Sequence, residues 1–319
     1  MHDAGPAPYD RPVAVLQTHG LTKRFGRLTA VDGLSLSVAA GDRYGFLGLN
    51  GAGKTTTLRM ALNLIRPTAG SVTLFGLDIK EHFLQIMQSV GALIERPAYY
   101  PGLSGFRNAE LMGRLCGGVP AQQVRDILER VGLAEKADTR AHTYSLGMIQ
   151  RLGIAMALVA RPTLVILDEP TNGLDPKGII QIRDLIRELN RRDGTTFVIS
   201  SHLLHEVELM CNRVGILRAG RLLVEDSVEA LLKKAGGSVR LRATPPEGAR
   251  EALRNLPYVA AVRPEENDSV LNLSLDPSLL SKLNEDLVRR GIQVSELTPV
   301  RPSLEELFLA LQEAPVQAA

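Results

Sequence analysis

A glycine-rich stretch limits what this chain can fold into more than any other feature of its sequence. GLNGAGKT, from Gly48 to Thr55, has the spacing of a phosphate-binding loop. The run before it predicts a strand, and the residues from Lys54 to about Leu64 predict a helix. Glycines let backbone N–H groups curl around an anion, and the helix N-terminus adds its dipole. In this pattern Lys54 reaches the β- and γ-phosphates of a nucleotide and Thr55 ligates Mg²⁺.

Acidic residues end a second predicted strand. VILDEP places Asp168 and Glu169 after a fully apolar run, where two adjacent acids are costly unless they emerge into a site. Asp168 is expected to hold the magnesium, directly or through water, and Glu169 to orient and deprotonate the attacking water. TFVISSH predicts another buried strand that ends at His202, which can reach the γ-phosphate. The catalytic candidates are therefore Glu169, His202 and Lys54.

The segment YSLGM, before a predicted helix, forms a second candidate anion site. Ser145 and Gly147 at the N-terminus of that helix make an anion-binding motif, although an ordinary serine N-cap accounts for the same residues. The segment carries no acid, base or nucleophile. A chain that already has a phosphate loop needs a reason for a second anion site.

The order of predicted elements indicates two domains. Residues 14–232 mix strands and helices, with a turn expected at Val31–Gly33 and a mainly helical part at about 93–159. KKAGG, at residues 233–237, indicates a linker. Residues 238–312 follow the order strand, helix, strand, strand, helix, strand, which predicts a small ferredoxin-like α+β domain. Within it we find no residues that point to chemistry.

Composition narrows the class of partner. The 319 residues are 45% apolar and 23% charged, so a globular protein is expected. The net charge of +2 argues neither for nor against nucleic acid, and no nucleic-acid partner is expected. Two distant cysteines fit a reduced, cytosolic compartment. No run approaches the ~20 apolar residues of a membrane span, so work at a membrane would need another chain. Residues 1–13 and 313–319 are expected to be flexible tails.

Together these motifs resemble the ATP-binding cassette (ABC) family over residues 14 to about 232. The resemblance implies a P-loop NTPase with a mixed sheet core and a helical subdomain, and ATP and Mg²⁺ as cofactors. It also implies two cassettes paired head to tail around two ATP molecules. YSLGM then becomes the signature motif, which grips the γ-phosphate bound by the other subunit and explains the second anion site. The usual signature is Leu-Ser-Gly-Gly-Gln, and Tyr144, Leu146 and Met148 depart from it.

The resemblance also assigns individual residues. It implies that Phe25 stacks on adenine, that Asp175 lies in the loop that crosses the dimer interface, and that His202 is the switch histidine. The implied nucleotide contacts are Phe25, Val31, Asn50, Gly51, Ala52, Gly53, Lys54, Thr55, Thr56, Ser145, Gly147 and Asp175. The implied metal ligands are Thr55, Glu95 and Asp168.

Glu95, in ALIERPAYYP, is a departure from the family pattern. The family carries glutamine at this place, in a loop that contacts the magnesium and meets the permease, whereas the branch of bacitracin and daunorubicin exporters also has glutamate. A carboxylate is a stronger ligand for a hard cation than an amide oxygen. We therefore expect Glu95 to contact magnesium in the closed state and Arg96 to pair with it when the loop withdraws. A solvated loop acid is the alternative.

The resemblance implies an ATP-hydrolysing subunit of a drug, antibiotic or lipid-like exporter. It would work as a homodimer or paired cassette on a separate polytopic permease, at the cytoplasmic face of the membrane. One alternative is a soluble ABC ATPase of the translation or DNA-repair type, although this chain has one cassette and lacks a long coiled coil or zinc cysteines. Another is a nucleotide-dependent interaction module without turnover, against which the intact Glu169, Lys54 and His202 argue.

Overall fold

The computed structural model describes residues 14–235, 238–264, 270–300 and 303–313. The chain divides into two compact units, Met1–Ser227 and Val228–Ala319. The predicted tail at 1–13, the glycines of the predicted linker and all but the first residue of the predicted tail at 313–319 lie outside the described residues.

The first unit alternates strands and helices. Its strands are β1 Ala14–Phe25, β2 Leu28–Ala39, β3 Arg43–Leu47, β4 Ala69–Leu74, β5 Leu77–Asp78, β6 Val90–Leu93, β7 Leu164–Asp168, β8 Thr196–Ser201, β9 Arg213–Arg218 and β10 Arg221–Ser227. Its α-helices are α1 Lys54–Ala61, α2 Phe83–Met87, α3 Gly105–Leu115, α4 Ala121–Arg130, α5 Leu146–Leu158, α6 Pro176–Asp193 and α7 Leu204–Met210.

A mixed sheet in the order β10-β9-β3-β8-β7-β6 forms the centre of this unit. Strands β9, β3, β8, β7 and β6 are parallel, and β10 adds an antiparallel edge. Every residue of β7 and β8 is buried, as the apolar runs of a sheet covered on both faces require. The parallel strands β3, β6, β7 and β8 end at one edge of the sheet, where ligands of such folds bind.

The N-terminal strands form a second, antiparallel sheet in the order β2-β1-β4-β5. The predicted turn at Val31–Gly33 is wrong: β1 ends at Phe25, β2 begins at Leu28, and Val31–Gly33 lies inside β2. Register shifts interrupt the β1–β2 pairing there, and Gly33 has a φ of 62°. A bulge inside a strand and a turn between strands both favour glycine, which is why the local sequence suggests the turn.

Helices α3, α4 and α5 form the helical part, within the predicted range of about 93–159. The Ser104 side chain caps α3 by accepting from the N–H of Arg107 at 3.2 Å. Asn108, which is buried, exchanges hydrogen bonds with the backbone of Tyr100 at 2.7 and 3.1 Å. The loop that leads from β6 into this part is therefore fixed at its far end.

The second unit contains a four-stranded antiparallel sheet in the order β12-β13-β11-β14. Its elements are α8 Val228–Ala235, β11 Ser238–Thr244, α9 Pro246–Arg254, β12 Ala261–Pro264, β13 Val270–Ser274, α10 Leu280–Arg289, β14 Gln293–Val300 and α11 Leu304–Glu313. From β11 to β14 this is the strand and helix order of a split β-α-β domain. Leu241, Leu253, Leu273 and Leu283 are buried in its core.

The division between the units falls at Ser227, before the boundary at 232 that the sequence suggests. Helix α8 packs against α11, so it belongs to the second unit. Val228 and Leu231 of α8 are buried, as are Leu304 and Phe308 of α11. The sequence offers no sign of this contact, because about 70 residues separate the two helices.

Candidate functional site

The phosphate loop connects β3 to α1 at the carboxyl edge of the central sheet. Gly53, just before α1, has a φ of 99°, and a Cβ there would lie 2.5 Å from the Ala30 carbonyl oxygen. Only glycine fits that position, since it avoids both the backbone strain and the clash. The loop tip at Asn50 and Gly51 is exposed, Ala52 is buried and Thr56 is half-buried.

The Lys54 ammonium group is buried within its own loop. Its Nζ donates to the carbonyl oxygens of Gly48 at 2.7 Å and Leu49 at 3.4 Å, and lies 3.5 Å from Glu169 Oε1. A buried ammonium requires partners of this kind. A nucleoside triphosphate at this loop would offer Lys54 phosphate oxygens in place of these partners.

Thr55 and Asp168 meet at the position where the sequence predicts magnesium. Thr55 Oγ1 donates to Asp168 Oδ2 at 2.8 Å, and Ser200 Oγ donates to Asp168 Oδ1. Asp168 is 2% exposed, so its carboxylate is held from both sides. A hydroxyl and a carboxylate side by side form a donor set that suits Mg²⁺. Sequence reasoning missed Ser200, although its place near the end of β8 was a signal.

Glu169 and His202 form a pair beside that set. His202 Nδ1 lies 2.8 Å from Glu169 Oε2, while the other carboxylate oxygen faces Lys54. The Glu169 N–H donates to the Ser200 carbonyl and hydroxyl oxygens, both at 3.1 Å, and its φ is +50°. A left-handed backbone is unfavourable for a non-glycine residue, so these contacts fix where the carboxylate points.

Ser145 occupies the N-cap of α5 and is exposed. Its Oγ accepts from the Met148 N–H at 3.3 Å, so the ordinary cap is present and its hydroxyl faces solvent. A Cβ on Gly147 would lie 3.4 Å from the carbonyl oxygen of Gly173. Gln150, which sequence reasoning did not single out, donates to the carbonyl oxygens of Glu169 at 3.4 Å and Pro170 at 3.3 Å.

Tyr144, a departure from the family signature, anchors this segment. Its hydroxyl donates to the Lys136 carbonyl oxygen at 2.6 Å and would meet a Cβ on Gly105 at 2.2 Å. Burial raises the pKa of the Tyr144 hydroxyl, so it stays protonated and keeps donating. The aromatic ring therefore holds the start of α5 against the start of α3.

Asp175 is engaged within its own chain. Its side chain caps α6 by accepting from the Gly178 N–H at 3.1 Å, and Arg151 of α5 donates to the same Oδ1 at 3.1 Å. The carboxylate is 63% exposed. Asp175 therefore joins the N-terminus of α6 to α5, and its expected place at the dimer interface stays a prediction.

Phe25 and Val31, both expected to contact nucleotide, differ in accessibility. The Phe25 ring is 50% exposed and has the Lys23 ammonium 5.0 Å from its centroid, so it can receive a base. Val31 is fully buried, with its Cγ2 3.3 Å from where a Cβ on Gly53 would lie. Its side chain therefore packs against the phosphate loop, and the expected contact of Val31 with nucleotide stays a prediction.

Glu95 lies beyond the end of β6 with its carboxylate 54% exposed and a φ of +60°. Its partner is Arg59 of α1, whose Nη2 is 2.5 Å from Glu95 Oε1. The expected pairing with Arg96 is wrong in this conformation. Residues 59 and 95 are too far apart in sequence for local reasoning to join them.

These groups define a class of protein. A glycine loop at a helix N-terminus, a lysine within it, and an adjoining threonine and aspartate constitute the site of a P-loop nucleoside triphosphatase.

Known proteins define the family. A model described as "ABC transporter" matches residues 31–172. The bacitracin transport ATP-binding protein BcrA of Enterococcus faecalis is 36% identical over 93% of this chain and 96% of its own length. The daunorubicin/doxorubicin resistance ATP-binding protein DrrA of Streptomyces peucetius is 34% identical over 96% of this chain and 94% of its own length. The dimeric structure of MJ0796, a bacterial ABC transporter cassette, matches with a TM-score of 0.61 at 25% identity, over 67% of this chain and 98% of that chain.

This chain therefore belongs to the ABC transporter family, as an ATP-binding subunit with ATPase activity. Among the described residues, no helix has the length and apolarity to cross a bilayer.

Proposed function

We propose that this chain hydrolyses MgATP to drive export through a separate polytopic permease. The observation that carries the proposal is the position of Glu169, held between His202 and Lys54 and next to the Thr55–Asp168 pair. A hydrolytic site needs one carboxylate that can act on water and a separate one for the metal. Asp168 and Glu169 divide these tasks.

The residues act in distinct ways in this proposal. Bound Mg²⁺ would neutralise phosphate charge and polarise the bond that breaks. Thr55 and Asp168 would hold it, with Glu95 as a further ligand in the closed state. Lys54 exchanges its carbonyl partners for phosphate oxygens, while Glu169 orients water and takes its proton. His202 keeps the Glu169 carboxylate in place.

The exposed Ser145 supports a paired assembly. Its hydroxyl and the start of α5 are accessible and have no anion of their own chain within hydrogen-bond distance among the described residues. A second copy of the cassette, arranged head to tail, would supply that anion as the γ-phosphate of its ATP, and Phe25 would stack on the adenine. The dimeric cassette that this chain resembles supports the assembly.

The relatives support export and a place at the cytoplasmic face of the membrane through a permease. Two of them carry names of bacitracin transport and of daunorubicin/doxorubicin resistance. The cargoes in those names are not assigned to this chain. The cargo proposed for it is a drug, antibiotic or lipid-like molecule.

Purified full-length chain should hydrolyse ATP when Mg²⁺ is present and stop when EDTA is added. A pull-down from detergent extract should recover a polytopic membrane protein. A folded chain that does not bind MgATP would contradict the enzymatic proposal. Recovery of ribosomes instead of a membrane protein would contradict the proposal that the chain works with a permease.

A further inference from the structure

Glu95 sits at the edge of the sheet that carries the catalytic acids. Strand β6 pairs with β7 so that Leu93 is opposite Leu167. Glu95 lies two residues after Leu93, and Glu169 lies two residues after Leu167. Both glutamates have a left-handed backbone, with φ of 60° and 50°. The two glutamates therefore follow neighbouring strands at equivalent positions.

Arg59 draws Glu95 away from that edge. Arg59 follows Thr55 by four residues on α1, so the two side chains share a helix face with about 6 Å between them along the axis. Thr55 bonds Asp168, whereas Arg59 bonds Glu95 at 2.5 Å. One face of α1 thus carries Thr55, next to the expected metal position, and one turn later Arg59, which holds Glu95.

Arg59 is well placed to hold Glu95 and to release it. The two side chains are 38% and 54% exposed, and exposed ion pairs are weak because water and salt screen them. Glu95 is the partner that the structure gives the Arg59 guanidinium, and Arg96 forms no ion pair within the described residues. Because the Arg59–Glu95 ion pair is weak, Glu95 can leave Arg59 for another partner without unfolding of the surrounding structure.

We propose that Arg59 is a positioning residue that competes with the metal for Glu95. Glu95 bonds Arg59 when the site lacks MgATP and moves one helical turn toward Thr55 and Asp168 when the site closes. The inference rests on the proposed function, and in particular on Glu95 as a closed-state magnesium ligand. Its new element is that Arg59 sets how much magnesium this movement requires.

Magnesium titrations of the ATPase rate test the competition in the full-length chain. Removal of the competitor in Arg59→Met should lower the half-maximal magnesium concentration about two- to fivefold, the range that a weak exposed pair allows. Arg59→Lys, which keeps the charge, should stay near wild type. Glu95→Gln should raise the concentration, and Glu95→Ala should raise it further.

The double variant separates this role from a general effect of charge. In a Glu95→Gln background, Arg59→Met should leave the magnesium curve unchanged, because the pair is already gone. Arg66→Met removes a nearby exposed arginine without touching Glu95 and serves as the matched control. Arg59→Gln repeats the test should Arg59→Met fold poorly.

Amide hydrogen exchange in the nucleotide-free protein gives a measurement that does not depend on activity. The amides of residues 94–96 should exchange faster in Arg59→Met than in wild type or Arg66→Met. The proposal is overturned by an Arg59→Met curve that matches wild type, by the same shift in the Glu95→Gln background, or by unchanged exchange. Failure of the wild type to bind MgATP would instead overturn the proposed function.

Discussion

Pro97 packs directly against the backbone of Gly153. A Cβ on Gly153 would lie 2.6 Å from Pro97 Cγ and 3.1 Å from Leu93 Cδ1. Pro97 stands two residues after Glu95, and Gly153 is in the middle of α5, the helix that Ser145 caps. The loop that carries Glu95 and the helix that presents Ser145 therefore touch at a point that has no room for a methyl group.

Gly153→Ala should disturb this contact. Alanine favours a helix by about 1 kcal/mol over glycine, but overpacking typically costs about 1–3 kcal/mol, so the free energy of unfolding should fall. Displacement of Pro97 should also raise the magnesium requirement through Glu95. Urea unfolding and magnesium titrations check both effects. Gly102→Ala, where a Cβ meets nothing within 4 Å, is the control, and a Gly153→Ala protein equal to it in both measurements would disprove the coupling.

Glu169→Gln should bind ATP and lose turnover by about 100-fold or more, because the amide cannot accept the proton. Its shape and its bond with His202 can remain, so the fold should be kept and an ATP-bound dimer should accumulate. Sizing chromatography with MgATP and a rate assay measure the two effects. A variant that binds ATP yet remains monomeric would argue against the head-to-tail assembly.

Ser145→Arg should abolish turnover and leave ATP binding by the monomer almost unchanged, because in the proposed dimer Ser145 acts on the partner's nucleotide. Loss of the cap on Met148 alone costs about 1 kcal/mol of stability, and Ser145→Ala controls for it. Mixed dimers that carry Ser145→Arg in one subunit should lose activity at the partner's site. Full activity at both sites would refute action across the interface.

Truncation of the second unit should preserve ATP binding and weaken assembly of the dimer or with the permease. The cut belongs after Ser227, because a cut after Gly237 would leave α8 without α11. A fluorescent ATP analogue measures binding, and sizing chromatography and transport assays measure assembly. Transport and dimer formation equal to those of the full-length chain would show that the second unit has no part in either.

Local sequence was enough for the phosphate loop and for the acids at the end of β7. These depend on residues next to one another and on chemistry that few sequences satisfy by chance. The burial of Val31, the pairing of Arg59 with Glu95 and the attachment of Ser200 to Asp168 could not be predicted in this way. Each joins segments about 20 or more residues apart, so its partner is set by how strands and helices pack.

The left-handed backbone at Glu95 and Glu169 has a consequence for protein engineering. Each such residue costs about 1–2 kcal/mol relative to an ordinary backbone, a penalty that glycine avoids. Exposed Glu95 offers only a weak ion pair in return. A laboratory selection for heat resistance alone would therefore favour Glu95→Gly. The selected proteins would be more thermally stable but would need more magnesium for activity. Screens of this chain should select for activity and thermal tolerance together.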